Sequence, residues 1–167
     1  METKEWKFPE SHWRERDNWQ AGEWDREPDK VQWEDKDTGM PCLIVRNHFG
    51  ALCGYVGVDE THKLYKVDYS ACPLECAEEF CEHSPESSFD VHGGITYSDL
   101  CMEDEKETGI CHIASPGEPD PLFWFGFDCA HSGDLLPRMD DFGWETYRNR
   151  AYVKAECARL ARQLADY

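Results

Sequence analysis

Residues 30–58 contain three short stretches rich in β-branched and aromatic residues, and they constrain the fold more than any other part of the chain. The first stretch, KVQWED, alternates so that Val31 and Trp33 fall on one face of a strand. The turn residues DTG lead from it into CLIVRN, and the turn residues HFG lead from there into ALCGYVGV. This order predicts a three-strand antiparallel meander.

The C-terminal part of the chain, from residue 144 onward, has the period of an amphipathic helix. Its apolar stripe consists of Val153, Cys157, Leu160 and Leu164. Two further strands are predicted in DVHGGITYS at 90–98 and LFWFGFD at 122–128. The predicted fold class is therefore α+β: a mainly antiparallel sheet, made of the N-terminal three-strand meander and further strands, packed by the C-terminal amphipathic helix.

The length of the chain predicts a single domain over residues 1–167. Residues 1–29 carry four tryptophans among dense charges, without a helical or strand period. We expect this Trp-rich segment to be extended and to drape over the core, with each indole filling a surface groove. A partner-binding arm is the alternative.

The charge balance narrows the range of partners. The chain has 35 acidic and 17 basic residues, a net charge of −18, which repels phosphate backbones and argues against direct nucleic-acid binding. Solubility is the simpler explanation of this charge, and an acidic surface that meets a basic protein is the other. The chain has no apolar run long enough for a membrane span and no secretory signal at its start, so a cytoplasmic location with reduced thiols is expected.

Nine cysteines are present, and most are expected to be small buried apolar residues. One group has enough soft ligands for a structural zinc ion: Cys72, Cys76, Cys81 and His83. It lacks the paired Cys-x2-Cys motifs typical of such sites, which argues against zinc.

The two strands predicted at 90–98 and 122–128 each bury a bulky apolar row and place small or polar residues on the opposite face. If the strands pair, these opposite faces form a groove with a glycine floor and an aromatic wall for stacking. The expected ligand-binding residues are Gly93, Gly94, Thr96, Trp124 and Gly126. The alternative is that the two adjacent glycines form only a bulge.

Titratable residues follow the second of these strands. A helical turn would bring side chains spaced three residues apart to one side, next to the histidine of the first strand. The expected catalytic residues are His92, Asp128, His131 and Asp134. Two imidazoles and two carboxylates suit a divalent metal, and equally a carboxylate-oriented histidine could act as general base on water, so the cofactor stays undetermined. The alternative is that these residues only cap turns.

The stretches VHGGITYS, WFGFDCAHSGD and TYRNRAYVKAECARLARQL, with GMPCLIVRN and GALCGYVGV, resemble a family of small proteins from bacteriophages, prophages and bacterial genomes. The resemblance extends from about residue 30 onward. The family has no assigned activity, so no site residue is transferred from it. The resemblance implies a phage or mobile-element protein that acts in the cytoplasm of the bacterial host.

Three functional hypotheses remain open. The first is a site that binds, and if the protein is an enzyme hydrolyses, a small polar, nucleotide-like ligand; Arg46 or Arg138 would offset the acidic charge. The second is a non-enzymatic anti-defence or inhibitor protein that acts through its acidic surface on a basic host protein. The third is a structural domain whose histidines and aspartates only stabilise loops.

Overall fold

The computed structural model describes residues 2–72, 82–102, 106–113 and 118–167. Within these residues, six strands form one antiparallel sheet in the order β1-β2-β3-β4-β6-β5. The strands are β1 Lys4–Trp6, β2 Lys30–Glu34, β3 Pro41–Arg46, β4 Leu52–Val58, β5 Tyr97–Leu100 and β6 Phe123–Asp128. The helices are the single turn α1 Pro85–Ser88 and the long α2 Arg150–Ala165, and three short 3-10 turns lie at Glu10–His12, Arg16–Asn18 and Glu23–Arg26.

The α+β prediction is confirmed, with the predicted meander as β2, β3 and β4. Val31 pairs with Ile44, and Ile44 pairs in turn with Gly54. β6 then pairs with β4 and lies between β4 and β5, so it is an interior strand. None of the described helices has the length and apolar character needed to cross a membrane.

The prediction of a strand at 90–98 is largely wrong. β5 begins only at Tyr97, and residues 92–93 form a turn in which Gly94 N donates to Val91 O at 3.0 Å. The cause is the glycine pair, since Gly93 and Gly94 have φ of 68° and 82°, in the left-handed region that a strand cannot contain. The alternation of faces predicted for residues 90–96 therefore does not apply.

α2 packs on one face of the sheet, and all four residues of its predicted apolar stripe are buried. Gly54 of β4 permits the helix to approach closely. A Cβ atom at Gly54 would lie 2.7 Å from the Cys157 Sγ and 2.4 Å from the Phe127 ring. The helix and β4 thus meet at a position where only glycine fits without rearrangement.

The opposite face of the sheet carries a second apolar cluster to which the N-terminal segment contributes. Phe8 and Trp13 are buried in this cluster against side chains of β3, β4 and β6, namely Leu43, Val45, Cys53, Tyr55 and Trp124. The backbone N–H of Phe8 donates to Asp29 Oδ2 at 2.9 Å, which ties the segment to the start of β2. Both faces of the interior strands are therefore covered.

The cysteines differ in part from the sequence-based expectation. Cys42, Cys53, Cys129 and Cys157 are buried free thiols, and burial raises the pKa of the Cys42 and Cys53 thiols to about 12. Cys101 and Cys111, however, form a disulfide, and Cys72 is also disulfide-bonded. A disulfide sulfur is not a thiolate ligand, so Cys72 does not fit the proposed zinc set, while Cys76 and Cys81 lie outside the described residues.

Candidate functional site

The candidate site forms where β6 ends. Asp128 is the last residue of β6, and the chain then turns back so that Asp134 N donates to His131 O at 3.0 Å. The side chain of Asp134 closes the same turn, because its Oδ2 accepts from the backbone N–H of His131 at 3.0 Å. A parallel bridge between Asp134 and Thr146 brings the segment before α2 alongside this turn.

The buried carboxylate of Asp134 is the centre of the site. It is 3 % exposed, and its Oδ2 lies 2.7 Å from His92 Nε2, while its Oδ1 accepts from Arg148 Nε at 2.9 Å. Burial alone would raise the pKa of this carboxyl group, but the hydrogen bonds from His92, Arg148 and the His131 backbone outweigh it and lower the pKa. Asp134 is therefore ionised at neutral pH.

His92 is held at both ring nitrogens. Its Nδ1 lies 2.8 Å from the Tyr152 hydroxyl, and its backbone N–H donates to Glu156 Oε2 at 2.7 Å. The guanidinium carbon of Arg148 stacks 4.7 Å from the centre of the Tyr152 ring. Four side chains thus form a closed ring of contacts, Asp134–His92–Tyr152–Arg148, and His92 is a positioned member of it rather than a free base.

The sequence reasoning missed Arg148, Tyr152 and Glu156. The spacing of four residues between Tyr152 and Glu156 is a signal that could have found those two, since it places them on one face of α2, whereas Arg148 precedes the helix and has no such signal. The segment was interpreted only through its apolar stripe.

His131 is the accessible imidazole of the site. Its side chain is 35 % exposed, and its Nε2 lies 3.4 Å from Asp128 Oδ1, whose own side chain is 32 % exposed. That contact does not meet the geometry of a hydrogen bond, and the Nε2 atom is itself buried without a hydrogen-bond partner among the described residues. Thr96 Oγ1 donates to the other oxygen of Asp128 at 3.3 Å, and the His131 and His92 ring centres are 5.7 Å apart. The four residues predicted as catalytic therefore lie together.

Two of the predicted ligand-binding residues lie elsewhere. Trp124 is fully buried in the second apolar cluster, and its Nε1 donates to Asp120 Oδ2 at 3.0 Å. A Cβ atom at Gly126 would lie 2.2 Å from the Tyr55 ring, so that ring occupies the space above the glycine. The predicted aromatic wall, Trp124, and one glycine of the predicted floor, Gly126, are thus part of the core, because both faces of β6 are covered.

The glycine pair at 93–94 plays two different roles. A Cβ atom at Gly93 would lie 2.0 Å from His131 Nε2, so this glycine makes room for the imidazole. A Cβ atom at Gly94 would meet nothing within 4 Å, although its φ is also positive. Gly93 and Thr96 are exposed and Gly94 is partly exposed, so these three predicted ligand-binding residues stay at the surface, where Thr96 contacts Asp128.

The two glycines provide a matched test of the His131 position. Gly94→Ala is expected to cost about 1–2 kcal/mol, the penalty of placing a Cβ atom in the left-handed region. Gly93→Ala carries the same penalty and must also displace His131, so we expect a larger loss of stability in urea unfolding. The imidazole NMR signals of His131 should shift in Gly93→Ala only. Equal losses with unchanged His131 signals in both variants would contradict this geometry.

The four predicted residues do not fit a metal ion. Both oxygens of Asp134 are engaged, and the positive charge of Arg148 on that carboxylate opposes a neighbouring cation. Within the described part of the chain, the three candidate ligand atoms that converge within 4.8 Å belong to Cys101, Cys111 and Asp120. The two cysteines of that group are joined in the disulfide and do not supply thiolates.

Comparisons of this chain with protein-family models, with curated proteins and with solved structures find no match. The resemblance to a phage and bacterial family therefore stays a prediction.

Proposed function

We propose that this protein binds a small polar ligand of the nucleotide-like class at the surface formed by Arg148, His131, Asp128 and Thr96. The observation that carries this proposal is the state of Arg148. Its Nε is fixed by the buried Asp134 and its guanidinium plane is stacked on Tyr152, whereas no described residue bonds its two terminal nitrogens. A guanidinium held in one orientation with free donors is suited to an anionic group such as a phosphate.

The remaining surface groups suit the polar part of such a ligand. The His131 ring offers its exposed edge rather than Nε2, which is buried, and Asp128 and Thr96 offer an acceptor and a hydroxyl beside it. The net charge of −18 repels an anion at long range. Local donors must therefore supply the attraction, and Arg148 is the only fixed cation bonded within this cluster of described residues.

Hydrolysis of the bound ligand is a second candidate function, and the His131–Asp128 pair favours it. A general base needs one imidazole nitrogen that reaches water and a carboxylate that orients the ring. His131 Nε2 is buried and faces Asp128, so the nitrogen that would take the proton is Nδ1. The 3.4 Å contact between His131 Nε2 and Asp128 Oδ1 is within the range of catalytic pairs that tighten only when substrate binds. His92 would act here as a positioning residue, because both of its ring nitrogens are engaged.

The Arg148 side chain gives the direct test of binding. Purified protein is titrated with a panel of nucleoside mono-, di- and triphosphates, and binding is measured by calorimetry. Native mass spectrometry of the same protein shows any ligand that co-purifies. We expect Arg148→Met to weaken the binding of a nucleotide by tenfold or more, since it removes the fixed donors. The matched control is Arg162→Met, an exposed arginine on α2 away from the site.

Two results would overturn the binding proposal: no nucleotide binds at millimolar concentration and none co-purifies, or Arg162→Met weakens binding as much as Arg148→Met. His131→Ala and Asp128→Asn then separate the two candidate functions. A hydrolase loses turnover in both variants although Arg148 still binds the nucleotide with reduced affinity, whereas a binding protein releases the nucleotide intact before and after substitution.

A further inference from the structure

The segment at 135–145 leaves the site and returns to the same place. Leu135 N donates to Thr146 O at 2.9 Å, and Thr146 N donates to Gly133 O at 2.8 Å, so hydrogen bonds join the two ends. A surface segment of this length with adjoining ends is an Ω-loop, a form that often carries function. We call residues 135–145 the aromatic loop.

Large apolar side chains of the aromatic loop face solvent. Phe142 is 74 % exposed and Trp144 is 66 % exposed, and Met139 is also exposed. Phe49 lies near the base of the loop, with the guanidinium carbon of Arg138 5.5 Å from its ring centre, and it too is exposed. No aromatic ring in the described part of the chain contacts Phe142 or Trp144, and most of the surface of both side chains is exposed.

The loop is held in shape by its own acidic side chains rather than by its aromatic ones. Glu145 Oε2 accepts from Phe142 N at 3.1 Å, and Asp141 Oδ1 accepts from Gly143 N at 2.7 Å. Gly143 adopts a φ of 86°, which glycine tolerates best. The aromatic side chains thus sit on an ordered backbone and lose little conformational freedom when a partner covers them.

We propose that the aromatic loop is a docking surface for a protein whose apolar cleft is bordered by basic residues. Trp and Phe side chains exposed on an ordered loop are typical anchors of protein interfaces. Three acidic residues, Asp140, Asp141 and Glu145, flank the anchors in the sequence, and the whole chain carries a charge of −18. That charge disfavours a second copy of this chain and an anionic membrane, and it attracts a basic surface.

Photo-crosslinking from residues of this chain identifies the partner. The crosslinker p-benzoylphenylalanine is placed at position 142 and, as a control, at the exposed Glu60, and each protein is irradiated in a bacterial lysate. A protein that crosslinks from position 142 only is then purified, and its binding to this chain is measured by calorimetry at low and high salt.

We expect two kinds of substitution to weaken the binding of the partner separately. Phe142→Ser/Trp144→Ser should weaken binding by tenfold or more, and Asp140→Lys should weaken it at low salt, whereas Glu60→Lys changes little. Unchanged binding in the double variant, or crosslinks that are identical from positions 142 and 60, would overturn the proposal. It would also be overturned if the double variant abolished binding to neutral phosphatidylcholine vesicles or abolished self-association, because the occupant would then be a membrane or a second copy.

These experiments are independent of the proposed ligand site. The aromatic loop variants leave Arg148 and His131 in place, and Arg148→Met leaves the exposed aromatic side chains in place. Failure of one proposal therefore does not decide the other.

Discussion

Replacing Asp29 by alanine is expected to lower the free energy of unfolding by about 4 kcal/mol, because it leaves a buried guanidinium without its closest carboxylate. Asp29 is fully buried, and its Oδ1 accepts from Arg46 Nε at 2.9 Å, with Arg46 itself 1 % exposed. Its second oxygen accepts from the backbone N–H of Phe8, so the same substitution also releases the N-terminal segment. Urea unfolding measures the loss, and the NMR signal of the Trp13 indole N–H reports the release.

Two controls make the Asp29 result specific. Asp17→Ala, at an exposed position of the same segment, should leave stability almost unchanged. Asp29→Leu combined with Arg46→Met should recover much of the loss, because replacing both members of a buried ion pair by apolar side chains is far less costly than removing one. If Asp29→Ala is as stable as Asp17→Ala, the ion pair does not contribute to the fold as described.

Asp134→Ala is expected to lower the free energy of unfolding by about 3 kcal/mol at neutral pH, because one buried carboxylate serves His92, Arg148 and the His131 backbone. The nucleotide affinity should fall with it, since Arg148 loses its fixed orientation. Asp140→Ala, an exposed aspartate of the aromatic loop, is the control.

The contribution of Asp134 to the free energy of unfolding should decrease as the pH falls. Its pKa is lowered in the folded protein, so its stabilisation is complete above the unfolded pKa of about 4 and is lost as the pH falls through the folded pKa. Urea unfolding of the wild type and of Asp134→Asn should therefore give stabilities that differ at pH 7 and converge in acid. A difference that stays constant down to acid would show that the charge of Asp134 is not what stabilises the site.

Local periodicity was enough to predict much of the fold. The alternation around Val31 and Trp33 and the stripe from Val153 to Leu164 correspond to β2 and α2, because a half-buried element repeats its apolar residues at its own period. The same method was wrong at Gly93 and Gly94. A glycine pair is compatible with both a strand and a left-handed turn, and the neighbouring side chains do not distinguish them.

At the candidate site, too, some residue positions were predicted correctly from the sequence and others were not. His92, Asp128, His131 and Asp134 lie together as expected, since three of them follow one strand end and His92 precedes the neighbouring strand. Trp124 and Gly126 were misplaced, because an alternating strand does not show whether its second face meets solvent or another layer.

The sequence by itself determined the type of each main element and the small group of titratable residues at the end of β6, since both depend on neighbours along the chain. Only the tertiary structure decided which polar and aromatic side chains are available to a ligand. It brought Arg148 and Tyr152 to Asp134 through the bridge at Thr146, and it covered Trp124 with the N-terminal segment. Those contacts join residues far apart in the chain, and they depend on how the layers pack rather than on any local pattern.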